Sequence, residues 1–291
     1  MKAILLFLSS LLLFISCKQE SSIDLESGSS LKLKANGLSY KDVDLLINGE
    51  KGKLKVFDFG DELAIRLNDV EGLKRVNGAC FPGVSMLVLN EQKDTVLFYD
   101  DLFAGEEGEK ENPIALIAKL KLADPIYSNK IHTMKLHFWD KKGNGTIDVE
   151  MEFSVKSNEN IKVKARDLMY DEVYLVNPQN SDIIKNSYTD SSVIVLNIEG
   201  LKGFKQTEED KIFPCLSINV KNKKGEIVFE SPNILQDYFE TGIDPVAVND
   251  RIFFSLDERF TIPQNDLVIH AVLFDKLSDA NLIIDVNLRK Q

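Results

Sequence analysis

The 291-residue sequence predicts an all-β protein made of two tandem, internally duplicated antiparallel β-sandwich domains. Two observations carry this expectation. First, the chain repeats itself: Leu31-Lys-Leu-Lys-Ala-Asn-Gly-Leu-Ser-Tyr40 returns as Ile161-Lys-Val-Lys-Ala-Arg-Asp-Leu-Met-Tyr170, 130 positions later. The echo continues in order, pairing Val70-Glu-Gly-Leu-Lys74 with Ile198-Glu-Gly-Leu-Lys202, Phe81-Pro82 with Phe213-Pro214, and Trp139-Asp-Lys141 with Phe274-Asp-Lys276. A repeat at this period means two copies of one unit, so every candidate site in one copy has an internal control in the other. Second, both copies are written in short apolar runs, alternating or continuous, which is the pattern of strands buried on one face or on both.

Taken in order, the first copy offers strands at Lys32-Leu-Lys-Ala35, Val43-Asp-Leu-Leu-Ile47, Lys53-Leu-Lys-Val-Phe57, Leu63-Ala-Ile-Arg-Leu67, Val84-Ser-Met-Leu-Val-Leu89, Thr95-Val-Leu-Phe98, Met134-Lys-Leu-His-Phe138 and Ile147-Asp-Val-Glu-Met-Glu-Phe153. Turn clusters such as Asn48-Gly-Glu-Lys-Gly52 and Asn90-Glu-Gln-Lys-Asp94 separate them. Pro113 to Leu122 has the composition of a helix, but its counterpart Arg251-Ile-Phe-Phe-Ser-Leu256 reads as a strand, so both are assigned as strands. The second copy continues with Asp171-Glu-Val-Tyr-Leu-Val176, Val193-Ile-Val-Leu196, Leu216-Ser-Ile-Asn-Val220, Glu226-Ile-Val-Phe229, Leu267 to Phe274 and Leu282 to Leu288. Roughly seven to nine short strands per copy match an antiparallel sandwich. The first repeat is placed at residues 31–156 and the second at 161–291, joined by the short polar link Ser157-Asn-Glu-Asn160.

Composition narrows the function. Apolar residues at 44% and charged residues at 28% belong to ordinary globular domains, not to a disordered or membrane-embedded chain. A formal charge of −11 opposes a nucleic-acid partner, which needs a basic face, and opposes adsorption to anionic headgroups.

The N-terminus is the strongest functional signal. Met1-Lys2 supplies a positive start, and Ala3 to Ile15 is an apolar stretch of 13 residues. That is short of the roughly 20 residues needed to span a bilayer, but it suits an export signal. The stretch ends in Phe14-Ile15-Ser16-Cys17, which resembles the lipobox of bacterial lipoproteins. The resemblance implies cleavage before Cys17 and acylation of its thiol and its new amino group. Ser16 is the small residue such a peptidase requires, whereas Phe14 departs from the usual leucine. The competing reading is an ordinary cleaved signal with an incidental cysteine. Residues 1–16 are therefore read as a lipoprotein signal peptide and residues 17–30 as a polar, serine-containing flexible tether. No acidic residue follows Cys17 directly, so the inner-membrane retention signal of enterobacterial lipoproteins is absent. The expected location is the outer membrane, lipid-anchored and facing the periplasm or the cell surface. The mature chain as a whole resembles the tandem immunoglobulin-like lipoproteins of Bacteroidota, which implies an envelope protein that binds or scaffolds.

Each motif that could carry chemistry has a plainer reading beside it. Asp140-Lys-Lys-Gly-Asn-Gly-Thr-Ile-Asp148 looks like half of an EF-hand loop. Calcium there needs oxygen ligands at loop positions 1, 3 and 5 and a bidentate glutamate at 12. Lys142 and Met151 occupy positions 3 and 12, and the second copy has only Asp275-Lys-Leu-Ser-Asp-Ala280, so a hairpin turn is expected. The acidic run Asp100, Asp101, Glu106, Glu107, Glu109 and Glu111 thins to Asp237, Glu240 and Asp244 in copy two and reads as a solvated loop. Trp139 is answered by Phe274, which suggests a core aromatic, whereas Phe57, Phe59, Tyr127 and Tyr188 are read as exposed-loop aromatics and better ligand candidates. His132 and His137, five apart on one strand, point to opposite faces, and His270 aligns with Lys135, so the histidines form no metal set. Cys80 and Cys215 match Ile212 and Gly83. Two buried free thiols are expected, with a bridge across the two copies as the alternative.

These readings converge on a lipid-anchored cell-envelope protein with a non-enzymatic binding or adhesion role. The alternative is a structural accessory subunit of an outer-membrane complex. No catalytic residue, metal or cofactor is expected, and no nucleic acid. Cys17 is the one assigned site, as the lipidation position, and the ligand is unknown. The expected partners are the membrane, through the N-terminal anchor, and an envelope protein or polysaccharide.

Overall fold

The computed structural model describes residues 18–24, 30–189, 193–256 and 266–291. Cys17 and the signal peptide lie outside the described residues. The first copy holds β1 (Lys18–Asp24), β2 (Ser30–Asn36), β3 (Asp42–Ile47), β4 (Glu50–Lys51), β5 (Val56–Asp58), β6 (Glu62–Val70), β7 (Pro82–Leu89), β8 (Thr95–Tyr99), β9 (Ile114–Lys121), β10 (Lys130–Asp140) and β11 (Thr146–Lys156). The second holds β12 (Ile161–Arg166), β13 (Glu172–Asn177), β14 (Asp182–Ile183), β15 (Ser187–Tyr188), β16 (Ile194–Glu199), β17 (Pro214–Asn222), β18 (Ile227–Ser231), β19 (Arg251–Leu256), β20 (Leu267–Asp275) and β21 (Asn281–Lys290). Two six-residue helices, α1 (Gln236–Thr241) and α2 (Pro245–Asp250), fill the β18–β19 connection. No helix among the described residues is long and apolar enough to cross a membrane.

The period of two decides which side chains go inside. Along β11, Ile147, Val149, Met151, Phe153 and Val155 are buried while Asp148, Glu152 and Lys156 face out. Along β9, Ile114, Leu116, Ala118 and Leu120 do the same, so this segment is the expected strand. In the first copy the large sheet runs β1-β2-β11-β10-β7-β8, with β5 added parallel to β11, and packs on β4-β3-β6-β9. In the second, β12-β21-β20-β17-β18, with β15 parallel to β21, packs on β14-β13-β16-β19. Apart from β5 and β15 the named pairings are antiparallel, and the chain crosses between sheets from β6 to β7, β8 to β9 and β9 to β10. This is the tandem immunoglobulin-like sandwich, with one apolar core per copy.

The repeat is real, but one of its echoes is out of register. Ser39 bridges Glu71, and Met169, 130 positions after Ser39, bridges Lys202. Gly72 packs against the Gly37 carbonyl and Leu38 Cα, and Gly203 against the Asp167 carbonyl and Leu168 Cα. Val70-Glu-Gly72 therefore corresponds to Leu201-Lys-Gly203, three residues beyond the sequence match to Ile198-Glu-Gly200. By contrast, Lys141 N donates to the Phe81 carbonyl and Lys276 N to that of Phe213, so those echoes keep their register.

Among the described residues β1 has no counterpart in the second copy. Lys18–Asp24, read in the sequence as part of the tether, pairs antiparallel with β2 from Lys18↔Asn36 to Asp24↔Ser30. Asn36 in turn pairs with Thr146. The start of β1 therefore lies at the pole of the first sandwich that carries the 37–41 loop and the β10–β11 turn. The opposite pole carries loops 52–61 and 122–129, and it is this pole that meets the second sandwich.

Candidate functional site: a polar seam and an outer-face groove

The seam is built on the outer face of the second copy's small sheet. Val173 and Leu175 of β13 point into their own core, so Glu172 and Tyr174 point the other way, onto the first copy. Tyr174 belongs to the first sandwich's apolar cluster, with its ring 5.2 Å from that of Phe59. Gly60, at φ +91°, lets the backbone pass against Ile183, and a Cβ there would sit 2.6 Å from the Ile183 Cβ. Around this apolar contact lies a set of buried polar groups. Asp61 is 4% exposed, and its Oδ1 accepts from Lys185 Nζ and, at 2.7 Å, from Asn48 Nδ2. Its Oδ2 accepts from Asp58 N at 2.8 Å. Ser128 N donates to Glu172 Oε2 at 2.7 Å, and Lys130 Nζ reaches Asp171 Oδ1 at 3.0 Å. Glu199 Oε1 accepts from the Tyr174 hydroxyl at 2.6 Å and from Arg251 at 2.8 Å. Its Oε2 has no partner among the described residues.

These environments push the carboxyls in opposite directions. Burial pushes the Asp61 carboxyl up, but hydrogen bonds from Lys185, Asn48 and the Asp58 amide, with the Lys185 charge, outweigh it and hold the group below the ordinary range. Burial dominates at Glu172 and Glu199, and both are raised, Glu172 further by the Glu199 charge and Glu199 by Asp124. Burial and the Glu199 acceptor likewise raise the Tyr174 phenol. With Glu172 and Glu199 each 2% exposed, the cluster is covered by protein and works as a joint between the copies.

The open surface lies elsewhere, on the outer face of the first large sheet. A groove of about 850 Å³ runs across β2, β11, β10, β7 and β8, with Ser21 of β1 at its margin. Its floor is a set of cross-strand pairs: Lys32 and Lys135 each 3.4 Å from Glu150, and His137 Nδ1 2.6 Å from Asp148. Beyond them come half-buried Leu87 and, on edge strand β8, Phe98 at 59% exposure. In copy two the Lys135–Glu150 rung becomes His270–Asp285, 2.7 Å apart, while Val272 and Ile283 replace His137 and Asp148.

Several sequence expectations need correction. Trp139 is not a core residue: it lies half-buried on the outer face, over Gly83 and stacked with His137 at 5.7 Å. Its counterpart Phe274 is also half-buried outside, edge-on to Phe239. Phe57, Phe59 and Tyr188, expected as exposed ligand candidates, are 1%, 2% and 2% exposed, and Tyr127 is half-buried with its hydroxyl on Asp124. The reason is β5 and β15, whose parallel pairing with β11 and β21 folds Phe57 and Tyr188 inward. The Asp140 carboxylate is occupied by backbone, accepting from Lys74 N at 2.7 Å and Lys142 N at 2.9 Å, and Met151 is core. Asp275 repeats the arrangement with Lys205 N and Leu277 N, so this aspartate ties a turn in both copies. His132 is buried on Phe153 while His137 faces out, and Cys80 and Cys215 are buried free thiols. The acidic stretch forms the β8–β9 loop, in which Asp101 pairs with Lys141 at 2.6 Å. Cys17 lies outside the described residues. Sequence reasoning missed Asp61, Glu172 and Glu199. A charged residue inside an apolar run, as in Val195-Leu-Asn-Ile-Glu199, is the one available hint.

No family model matches the chain, and no curated protein matches it. Among solved structures it is similar to pT26-6p, at 10% identity and a TM-score of 0.29 over 95% of this chain and 67% of that one. It is also similar to the fibronectin(III)-like modules of Clostridium thermocellum CbhA, at 10% identity and 0.20 over 84% and 94%. A third is the FN1-FN3 domains of chicken CNTN1, at 12% identity and 0.22 over 93% and 77%. The fold assignment rests on the strand order above, and no function is taken from these likenesses.

Proposed function

We propose that this chain is a lipid-anchored cell-envelope protein, held through an acylated Cys17, that contacts an envelope polymer or protein without catalysing a reaction. The observation that supports a binding role is the open groove on the first sandwich, with Phe98 exposed at its rim. Charged rungs with an apolar border suit a polar, extended ligand, and the second copy does not reproduce the full set. The low exposure of the seam carboxylates Asp61, Glu172 and Glu199 supports a structural role for them over a catalytic one.

Glycan arrays and whole-cell pull-downs test the groove. A Leu87→Ser, Phe98→Ala double variant should lose capture while keeping its circular dichroism, and undiminished capture would remove the groove from consideration. The anchor has its own test. Cys17→Ala should lose acyl label and leave the membrane fraction, whereas a variant that stays labelled and membrane-bound would end the lipoprotein reading. A second reading, as an accessory subunit that spaces other envelope components, is favoured by the closed seam. It requires a stoichiometric partner after gentle crosslinking.

A further inference from the structure

We propose that the anchor is essentially slack-free: the first sandwich stands with its N-terminal pole against the bilayer, and the second sandwich is held on the far side. This rests on the acylation of Cys17 proposed above. One peptide bond separates Cys17 from Lys18, and Lys18 is already paired with Asn36 at the start of β1. Pairing continues without a break to Asp24↔Ser30, and the Ser21 and Tyr40 hydroxyls share a hydrogen bond that ties β1 to the 37–41 loop.

The magnitudes separate two pictures. If residues 18–30 were a free polar coil, their root-mean-square reach would be roughly 20 Å, enough to let the domain tumble above the membrane. With β1 in place, the acylated residue lies within about 4 Å of the first paired residue, one Cα step. Acyl chains buried in the bilayer then set the position of the sandwich itself.

Topology says which surface faces the lipid. Lys18, Asn36, Thr146 and Trp139 lie in one cross-strand row, beside the β10–β11 turn. β11 runs away from that row for 11 residues to Lys156, roughly 35 Å at the rise of an extended strand. The joint to the second sandwich, through Asp61, Ser128 and Tyr174, lies at that far end. The acidic β8–β9 loop shares this pole, since its Asp101 pairs with Lys141 of the β10–β11 turn, but it hangs from β8, five strands from β1 and therefore roughly 24 Å across the sheet. The anchored corner thus lies at the opposite edge of the sheet from the group that anionic headgroups would repel most.

The test uses the native lipoprotein in vesicles containing an acceptor-labelled headgroup lipid. A donor dye is placed at Asn144→Cys, in the β10–β11 turn, or at Gln92→Cys, in the β7–β8 turn of the opposite pole. Protein without either new cysteine gives the background from Cys80 and Cys215. Energy transfer from position 144 should be several times that from position 92. A Gly/Ser insert of about ten residues between Cys17 and Lys18 should collapse the difference by restoring the reach of a coil. Equal transfer from the two positions, or an insert that changes nothing, overturns the proposal. Mass analysis of the N-terminal peptide keeps the two failures apart. Acyl mass present without contrast sinks the slack-free anchor alone, and acyl mass absent sinks the lipoprotein reading together with it.

Discussion

Asp61 and Glu199 show how one seam can hold carboxyls of opposite character. Asp61 has its hydrogen bonds made, so its folded pKa lies below the ordinary 3.8, and its contribution is present above that value and lost as pH falls through the depressed one. Glu172 and Glu199 are raised above the ordinary 4.5, so what they contribute is fully present below 4.5 and lost as pH rises through their raised values. For these three groups together, stability should decline from pH 4.5 towards neutrality and decline again below 3.8. Thermal unfolding across pH checks this, and Glu199→Gln should flatten the limb on the neutral side; an unchanged limb would show that Glu199 does not produce it. Asp61→Asn should cost about 1–3 kcal/mol at neutral pH, discounted because Lys185 keeps a third of its side chain in water.

Glycine positions carry the repeat more faithfully than the sequence echo does. Gly72 and Gly203 have φ of +93° and +101°, and a Cβ would lie 2.7 Å from the Gly37 oxygen and 2.3 Å from the Asp167 oxygen. Gly72→Ala and Gly203→Ala should each destabilise by about 1–3 kcal/mol in urea melts, since left-handed backbone and a backbone clash act together. An effect at only one of them would break the equivalence. The same contrast explains what was legible. Long alternating strands such as β9 and β11 announce themselves because their period is local. Glu-Gly-Leu-Lys recurs as local composition, while its register depends on Ser39 meeting Glu71 and Met169 meeting Lys202 across the chain. The burial of Phe57 and Tyr188 is illegible in the sequence for the same reason: strands of three and two residues show no alternation, and distant β11 and β21 decide it. The outward Trp139 was hidden because a repeated aromatic fits a core as well as a platform over glycine.

The two cores are joined because Tyr174, carried by the second sandwich, completes the apolar cluster of the first. Charged and polar groups then close the contact, so separating the copies would expose Glu172, Tyr174 and Glu199 together. That penalty should make the sandwiches unfold as one unit, although each has a core of its own. Trp139 is the only tryptophan and reports on the first sandwich, whereas far-UV circular dichroism reports on both. In the intact chain the two signals should therefore change at the same denaturant concentration. Gly60→Val should separate them. Its Cβ would meet Ile183 at a distance no packed side chain tolerates, and its φ of +91° opposes a branched residue. The wedge forces the copies apart without entering the interior of either core. Coincident transitions in the variant would mean that the linker and Lys185 keep the units coupled without the Phe59–Tyr174 contact. Non-coincident transitions in the native chain would mean that the seam is too weak to couple them, and that the far sandwich swings freely from the near one.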